Sequence, residues 1–565
     1  MRPDLASRLA RDWLAVDEGS TWRELNGSMV LVDITGFTRL TELFLGRGPE
    51  GVELLHRSLT LCFSAVLGPS LAAGGDVIGF AGDAALVWFS GDDHPRRAVR
   101  AAASIPASLA DLPAAVTGGR RMRVSVGAHN GSVLAVLAGG DQRDLFLCGP
   151  EMSTLVRLEA AALPGQVLLS SELADLVPAS WVRSETVPPE AKRRRPDVIE
   201  TFALPVAPSL ESVAPEVAER WWSLISPAVR PLVEGDDLAG DHRWTTAGFV
   251  ELREIDARLA EGGPQAVVDM ILDLVGAVER ICRELSITWI DSDVSDGGIK
   301  LLLAAGTPVS VPDDEGRMLL ALRRLLDSTD LPLRAGAQRG RVFAGCLGVA
   351  ARRTYCTLGD PVNVAARALG LAADHEVVVG DGVGAEARLD TEVDSIGPVA
   401  LKNRDVPVEM WRVLSVDPTA PRPPVPGADV IASVRRELPE RLLGLWDSAC
   451  AGRGASVLLR GEPGMGASEL VALVTQQAGA AAASIRTDGY RRQIPYGTVA
   501  EIVRSMARLP ARRWTAGTGC PHSKTSWKAR SVVGWTTGVR PWASGGVPRP
   551  TRSASVSGRQ RSWLS

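Results

Sequence analysis

The chain has 565 residues, which is too long for one hydrophobic core, so we expect two to four domains. A composition of 45% hydrophobic and 23% charged residues is that of a globular protein, and a net charge of −4 argues against binding nucleic acid through an overall basic surface. The charge is uneven, since residues 511–565 hold ten Lys and Arg and no Asp or Glu.

The cysteines give no sign of a disulfide framework or a zinc site. They are seven in number, scattered, and without a CxxC pair: Cys62, Cys148, Cys282, Cys346, Cys356, Cys450 and Cys520. No apolar run approaches the roughly 18 residues of a membrane span, and the N-terminus lacks a signal-peptide core. We therefore expect a cytoplasmic protein with neither a membrane nor a nucleic-acid partner.

The first 205 residues alternate predicted strands and helices. A helix in residues 1–24 precedes a buried strand, SMVLVDI, which ends near Asp33. A helix from about 49 to 71 follows, and then a hairpin in which DVIGF and AALVWF flank a turn containing Asp83. With a further helix at 94–110, this alternation predicts a sheet with helices over one face.

An internal repeat divides the chain. The segment VSVGAHNGSVLAVLAG (124–139) matches LRAGAQRGRVFAGCLG (333–348) without a gap, and Arg157 later matches Arg367. Two copies of one fold are therefore predicted. The expected boundaries are a first domain at 25–205, a linker at 206–241, a second domain at 242–416 and a proline-rich linker at 417–428.

The stretch TYCTLGDPVNVAARAL (354–369) predicts a strand, a turn and a helix. We expect Asp360 to cap this helix and Pro361 to occupy its first position. Asn363 and Arg367 are four residues apart and so share one helix face, where an amide suits a sugar and a guanidinium suits a phosphate. An ordinary polar surface helix is the alternative.

A third region, 429–512, has the strand, glycine-rich loop and helix order of a partial P-loop domain. In GEPGMGAS, backbone groups suited to cradle phosphate remain at Gly461, Gly464, Gly466 and Ser468. The usual lysine is replaced by Ala467, so nucleotide hydrolysis is not expected, and a vestigial or truncated regulatory module is the preferred interpretation. The basic tail, 513–565, is predicted to be disordered.

Three segments carry a family resemblance: LVDITGFTRL, VIGFAGDAALVWF and GRVFAGCLGVAARRTYCTLGDPVNVAAR. They resemble the class III nucleotidyl cyclase catalytic domain, and tandem copies before an NTPase-like region are similar to soluble adenylyl cyclases. Over about residues 25–510 the resemblance implies an α/β fold (an α+β sandwich) of two ferredoxin-like domains. These would pair head to tail, as a pseudo-heterodimer within one chain, around a groove that holds the active site.

The resemblance also implies roles for individual residues. Asp33 and Asp83, with the backbone carbonyl of Ile34, would hold two Mg²⁺ or Mn²⁺ ions. Asn363 would orient the ribose, and Arg367 would stabilise the phosphorus as the 3′-hydroxyl attacks. Without the resemblance, Asp33 reads as a strand-end residue and Asp83 as a hairpin residue.

The two copies are not expected to be equivalent. Copy two has Glu251 in place of Asp33 and an apolar residue near Leu301 in place of Asp83, while copy one has Ser153 in place of Asn363. One groove therefore keeps the full set of residues, and the other is degenerate.

The base-reading positions depart from the adenylyl cyclase pattern of a lysine with an aspartate or threonine, since Cys356 and Gly297 align there. The expected activity is still conversion of ATP to cyclic AMP and pyrophosphate. The alternatives are a guanylyl cyclase that uses GTP and a catalytically silent nucleotide-binding module, and a protein partner of the C-terminal region is left open.

Overall fold

The computed structural model describes the following residues: 3–16, 19–36, 40, 43–44, 49–114, 116–119, 122–187, 191–194, 215–235, 240–311, 313–384, 390–401, 406–417, 437–459, 470–471 and 474. The chain divides into two compact units, 1–421 and 422–565. The second unit contains one described helix, Glu437–Cys450. The predicted phosphate-binding loop, with Gly461, Gly464, Gly466 and Ser468, and the basic tail lie outside the described residues.

The elements of the first half of unit one are, as helices, α1 (Arg8–Val16), α2 (Pro49–Ala72), α3 (His94–Ala110), α4 (Pro150–Ala161) and α5 (Ser171–Asp175). Its strands are β1 (Trp22–Thr35), β2 (Asp76–Ala81), β3 (Ala84–Phe89), β4 (Arg123–Ala138), β5 (Asp144–Cys148), β6 (Val167–Ser170), β7 (Val182–Val187) and β8 (Ala191–Arg194). The helices predicted near 49–71 and 94–110 and the hairpin that carries Asp83 are confirmed.

Two short helices, α6 (Pro215–Arg220) and α7 (Arg230–Glu234), lead into the second half, whose helices are α8 (Ile255–Leu285), α9 (Asp314–Asp327), α10 (Asp360–Leu371) and α11 (Asp381–Gly384). Its strands are β9 (Asp241–Leu252), β10 (Thr288–Ser295), β11 (Gly298–Ala305), β12 (Leu333–Val349), β13 (Arg352–Leu358), β14 (Val377–Gly380), β15 (Asp390–Val399) and β16 (Val408–Asp417). The helix of unit two is α12.

Both halves contain an eight-stranded sheet with the same strand order. The first is β2-β3-β1-β4-β6-β8-β7 with β5 paired to β4, and the second is β10-β11-β9-β12-β14-β16-β15 with β13 paired to β12. In each sheet one described pair is parallel, β4 with β6 and β12 with β14. The sequence repeat therefore corresponds to a repeat of strand order.

Helices cover both faces of the first sheet, so the prediction of helices over one face is wrong. In β1, Val30 and Val32 share a core with α2 and α3, whereas Met29 and Leu31 on the opposite face share one with α1 and α4. The physical reason is visible in SMVLVDI: its unbroken apolar run has no polar alternation that would leave one face in water.

The two halves exchange core residues reciprocally. Phe343 of β12 and Leu358 of β13 belong to the core of the first half, and Leu134 of β4 and Cys148 of β5 belong to the core of the second. Across this contact the carboxylate of Glu279 on α8 accepts hydrogen bonds from the amides of Gly140 at 3.0 Å and Gln142 at 2.8 Å. Since each half buries the same strand pair of the other, the contact has the self-complementary form of a two-fold interface.

Helix α10 begins differently from the expectation. Its N-cap is Gly359, with φ of 151° and ψ of 171°, and Asp360 is the first helical residue, with no side-chain capping bond. The prediction that Asp360 caps the helix and Pro361 begins it is therefore displaced by one residue. A glycine suits this turn because the backbone angle is one that side-chain-bearing residues rarely adopt.

Candidate active site

Asp33 and Asp83 are brought together by the hairpin of β2 and β3. Asp33 pairs with Ala84 across β1 and β3, and the amide of Ile34 donates a hydrogen bond of 3.3 Å to the carbonyl of Asp83. Burial raises the pKa of Asp83 well above its usual value, and the charge of Asp33 raises it further. The structure thus places side by side the two carboxylates that the sequence singled out.

The donor set fits a hard divalent cation. Two unit charges 4 Å apart at an effective dielectric near 20 repel by roughly 4 kcal/mol, and a cation between them reverses that sign. Among the residues that the structure describes, no group of three or more His, Cys, Asp and Glu side chains is arranged to hold a metal. Two carboxylates and the carbonyl of Ile34 are hard oxygen ligands of the kind that Mg²⁺ takes together with water.

Asn363 and Arg367 project from the exposed face of α10. The opposite face, with Val364, Ala365 and Ala368, is buried against the second sheet. Close packing depends on Gly336 in β12, where a Cβ atom would lie 2.1 Å from the amide nitrogen of Leu369. The buried face of α10 is thus closely packed against the sheet, while the side chains of Asn363 and Arg367 remain accessible.

The register of the second sheet corrects the alignment of Gly297. Glu251 pairs with Arg334 as Asp33 pairs with the repeat-equivalent Ser125, which supports the equivalence of Glu251 and Asp33. Beyond that point the β10–β11 hairpin is longer, with six residues (294–299) between Asp293 and Lys300 where the first half has two (82–83) between Ala81 and Ala84.

Gly297 therefore lies in the hairpin turn, with φ of 74°, and not at a base-reading position on the strand. Leu301 pairs with Val250 inside the sheet, so it does not occupy the place of Asp83 either. The sequence did not show this because the insertion falls in a segment of small and polar residues.

Asp291 lies close enough to Cys356 for its charge to act on the thiol. Asp291 pairs with Leu302 next to a β-bulge, as Gly79 pairs with Leu86 next to a bulge in the first half. Cys356 is buried, and burial raises the pKa of its thiol well above the usual value, with Cys346 and Asp291 adding to the effect. Burial likewise raises the pKa of Asp291. The sequence analysis did not single out this residue, although the alternating carboxylates of the segment DSD (291–293) were visible.

A narrow cleft lies between the halves. Ile78, Phe80 and Phe146 of the first half line it, together with Asp291 and Asp293 of the second. The pKa of Asp293 is raised by burial and lowered by Lys300, and the charge of Asp33 also acts on it. Asp293 thus lies near the proposed metal-binding carboxylates, a placement that sequence reasoning also missed.

Arg352 joins the two halves beside this cleft. Its guanidinium donates hydrogen bonds to the carbonyls of Val77 at 3.1 Å and Ile78 at 3.2 Å. Burial lowers its pKa, while the charges of Asp291, Asp76 and Asp144 act in the opposite direction. No motif in the sequence indicated this buried arginine.

Comparison with known families gives a match in the second half of the chain. Residues 246–414 match the family described as the adenylate and guanylate cyclase catalytic domain. This part of the chain is therefore similar to a nucleotidyl cyclase catalytic domain. Among the residues that the structure describes, none of the helices has the length and apolar character of a membrane-spanning segment.

Curated relatives match segments of different length. Adenylate cyclase type 10 of Rattus norvegicus is 25% identical over 384 residues, which cover 60% of this chain and 23% of that protein. Adenylate cyclase 2 of Rhizobium meliloti is 29% identical over 167 residues, covering 28% of this chain and 43% of the relative. The match thus spans less than a quarter of the mammalian relative and less than half of the bacterial one.

Among solved structures, a class III adenylyl cyclase-like ATP-binding protein from Pseudomonas aeruginosa matches with a TM-score of 0.45 and 14% identity. The match covers 64% of this chain and 85% of that one.

Proposed function

We propose that the chain is a nucleotidyl cyclase whose two halves share one active groove, and that ATP is converted there to cyclic AMP and pyrophosphate. The observation that carries the proposal is the Asp33–Asp83 pair in one half, together with Asn363 and Arg367 on an exposed helix face of the other. Residues 1–24 would precede two cyclase domains in tandem, and residues 206–241 would link them.

The repeat supports a meeting of these two groups across the groove. In the first half, α4 is the counterpart of α10, and its Ser153 and Arg157 contact the β10–β11 hairpin of the second half. Because the halves exchange equivalent strand pairs, the same relation directs Asn363 and Arg367 towards the β2–β3 hairpin that carries Asp83.

Each residue then has a defined task. Asp33, Asp83 and the carbonyl of Ile34 hold the cation site, and a bound Mg²⁺ or Mn²⁺ would offset the triphosphate charge and lower the pKa of the ribose 3′-hydroxyl. Asn363 holds the ribose so that its 3′-oxygen faces the α-phosphorus. The new O–P bond forms as the bond to the β-phosphate oxygen breaks, the hydroxyl proton passes to water, and Arg367 donates hydrogen bonds to the α-phosphate oxygens.

A guanylyl cyclase is the second candidate, favoured by the position of Asp291 beside Cys356. Guanine presents N1–H and an amino group as donors on its Watson–Crick edge, and an ionised carboxylate accepts from both. Adenine presents an acceptor at N1, which an ionised carboxylate would repel. The purine preference therefore depends on the protonation state of Asp291 when nucleotide is bound.

The test is turnover of labelled ATP and GTP by the purified full chain with Mn²⁺. We expect a cyclic nucleotide from at least one of them, and the ratio of the two products assigns the substrate. Asp291→Lys should shift that ratio towards ATP, with Asp269→Lys, on the exposed face of α8, as the control. Nucleotide binding by calorimetry without any cyclic product would instead support a silent binding module.

A further inference from the structure

The second groove, between α4 and the β10–β11 hairpin, is built differently from the proposed active groove. We propose that Ser153 and Arg157 of α4 form a latch on this hairpin, which closes the second groove with the chain's own side chains and leaves one nucleotide site per chain. The single-site part rests on the proposed function, whereas the latch itself does not.

Ser153 is the first element of the latch. Its side chain is buried, and its hydroxyl accepts a hydrogen bond of 2.9 Å from the amide of Gly297 and donates one of 2.5 Å to Asp256. Both partners belong to the other half. Ser153 is the counterpart of Asn363, the proposed ribose ligand of the active groove, and its side chain is thus already hydrogen-bonded within the protein.

Arg157 is the second element. Its guanidinium lies 2.8 Å from the carboxylate of Asp296 in the hairpin turn, and both side chains are 56% exposed. Arg157 is the repeat counterpart of Arg367, so the group that would meet a phosphate in this groove is paired with an acid of the other half. The four-residue lengthening of the hairpin brings that acid to it.

The carboxylate at the position that corresponds to Asp33 is also paired within the protein. Glu251, the counterpart of Asp33, forms a 2.5 Å ion pair with Arg334 and pairs across the sheet with Lys300. Asp33 has Ser125 and Ala84 at those two places. A carboxylate flanked by two cationic residues is a poor ligand for a divalent cation, because the positive charges oppose the ion.

Hydrogen–deuterium exchange of the full chain without nucleotide tests the latch. Ser153→Ala removes the acceptor of the Gly297 amide, so exchange of peptides covering 294–299 should accelerate about fivefold to tenfold. Arg323→Ala, which removes an exposed pair with Asp327 inside the second half, is the control and should leave that exchange unchanged. Exchange equal to wild type in Ser153→Ala overturns the latch.

A charge exchange provides a second variant at exposed positions that do not threaten folding. Arg157→Asp should accelerate exchange of the hairpin about threefold, and Arg157→Asp combined with Asp296→Arg should restore it. If the double variant exchanges as fast as the single one, the pair does not hold the hairpin, and the latch is contradicted.

Titration calorimetry with Mn²⁺ and 3′-deoxy-ATP or 3′-deoxy-GTP, which lack the attacking hydroxyl, tests the number of sites. We expect one nucleotide per chain in wild type. Two per chain would overturn the closed groove. No binding of either nucleotide would contradict the proposed function, and the exchange measurements would still decide on the latch.

Discussion

At the scale of one residue, Asp83 is distinguished by the pKa of its carboxyl group. Burial raises the folded-state pKa of Asp83 well above the ordinary value of an aspartate, so the folded chain binds more protons than the unfolded chain between those two pKa values. Stability should therefore fall as pH rises through the raised pKa, and the full deficit is present above it.

We predict that Asp83→Asn raises the melting temperature at pH 8 without divalent cations, by about 2–4 °C for each kcal/mol recovered. The gain should vanish near pH 4, where the wild-type carboxyl is protonated. Mn²⁺ should raise the melting temperature of wild type at pH 8 and not that of the variant. Asp327→Asn is the control, and parallel pH profiles of wild type and Asp83→Asn would contradict the assignment.

Glu251, the counterpart of Asp33 in the second half, forms an ion pair that stabilises the fold. Arg334→Ser, which installs the residue found beside Asp33, leaves the buried carboxylate of Glu251 without its ion-pair partner and should lower the free energy of unfolding by about 3 kcal/mol. Urea denaturation measures this. Adding Glu251→Gln should recover most of the loss, and a double variant no more stable than Arg334→Ser would show that the ion pair is not the cause.

At the scale of elements, the site depends on how α10 lies on β12. Gly336→Ala would place a methyl group 2.1 Å from the amide nitrogen of Leu369, so the helix must shift and carry Asn363 and Arg367 with it. We predict a loss of about 1–3 kcal/mol in stability together with a loss of turnover.

Gly370→Ala, in the same helix, is the matched control. Nothing lies within 4 Å of its added Cβ atom, so the substitution should stabilise the chain by about 0.5–1 kcal/mol and leave turnover unchanged. Equal effects of the two substitutions in denaturation and activity assays would refute the role of the close approach.

Elements with local signals could be predicted, and those set by tertiary contact could not. The β2–β3 hairpin was visible because a glycine turn separates two apolar runs, and the pairing of β3 with β1 then brings Asp83 to Asp33. The longer β10–β11 hairpin was misaligned, because its register is set by pairing with β9 and not by its own residues. Asp291 was missed for the same reason.

At the scale of the whole molecule, the two halves stabilise each other. Phe343 is fully buried and lies in a second-half strand, yet it packs in the core of the first half. Phe343→Ala should therefore cost about 3–5 kcal/mol and destabilise both halves together. Calorimetry should show one shifted transition for residues 1–421, whereas two separate transitions of which only one moves would contradict this coupling.

The repeat in the sequence did not specify which core residues the two halves exchange. Equal hydrophobic patterns predicted two similar folds, while the identity of the exchanged residues, such as Cys356 and Leu358 for the first half, appears only in the packing. The same holds for Arg352, since nothing local distinguishes a buried inter-half arginine from an exposed one.

The central claim is that acids of the first half and the polar face of α10 act on one nucleotide. Its most direct measurement is cyclic nucleotide formation with Mn²⁺ by Asp33→Ala and Arg367→Ala, beside Asp327→Ala and Arg323→Ala as controls of matched charge. We predict that the first two lose about 100-fold or more in turnover with unchanged melting temperatures and that the controls keep wild-type rates. Wild-type turnover in either Asp33→Ala or Arg367→Ala would contradict the account.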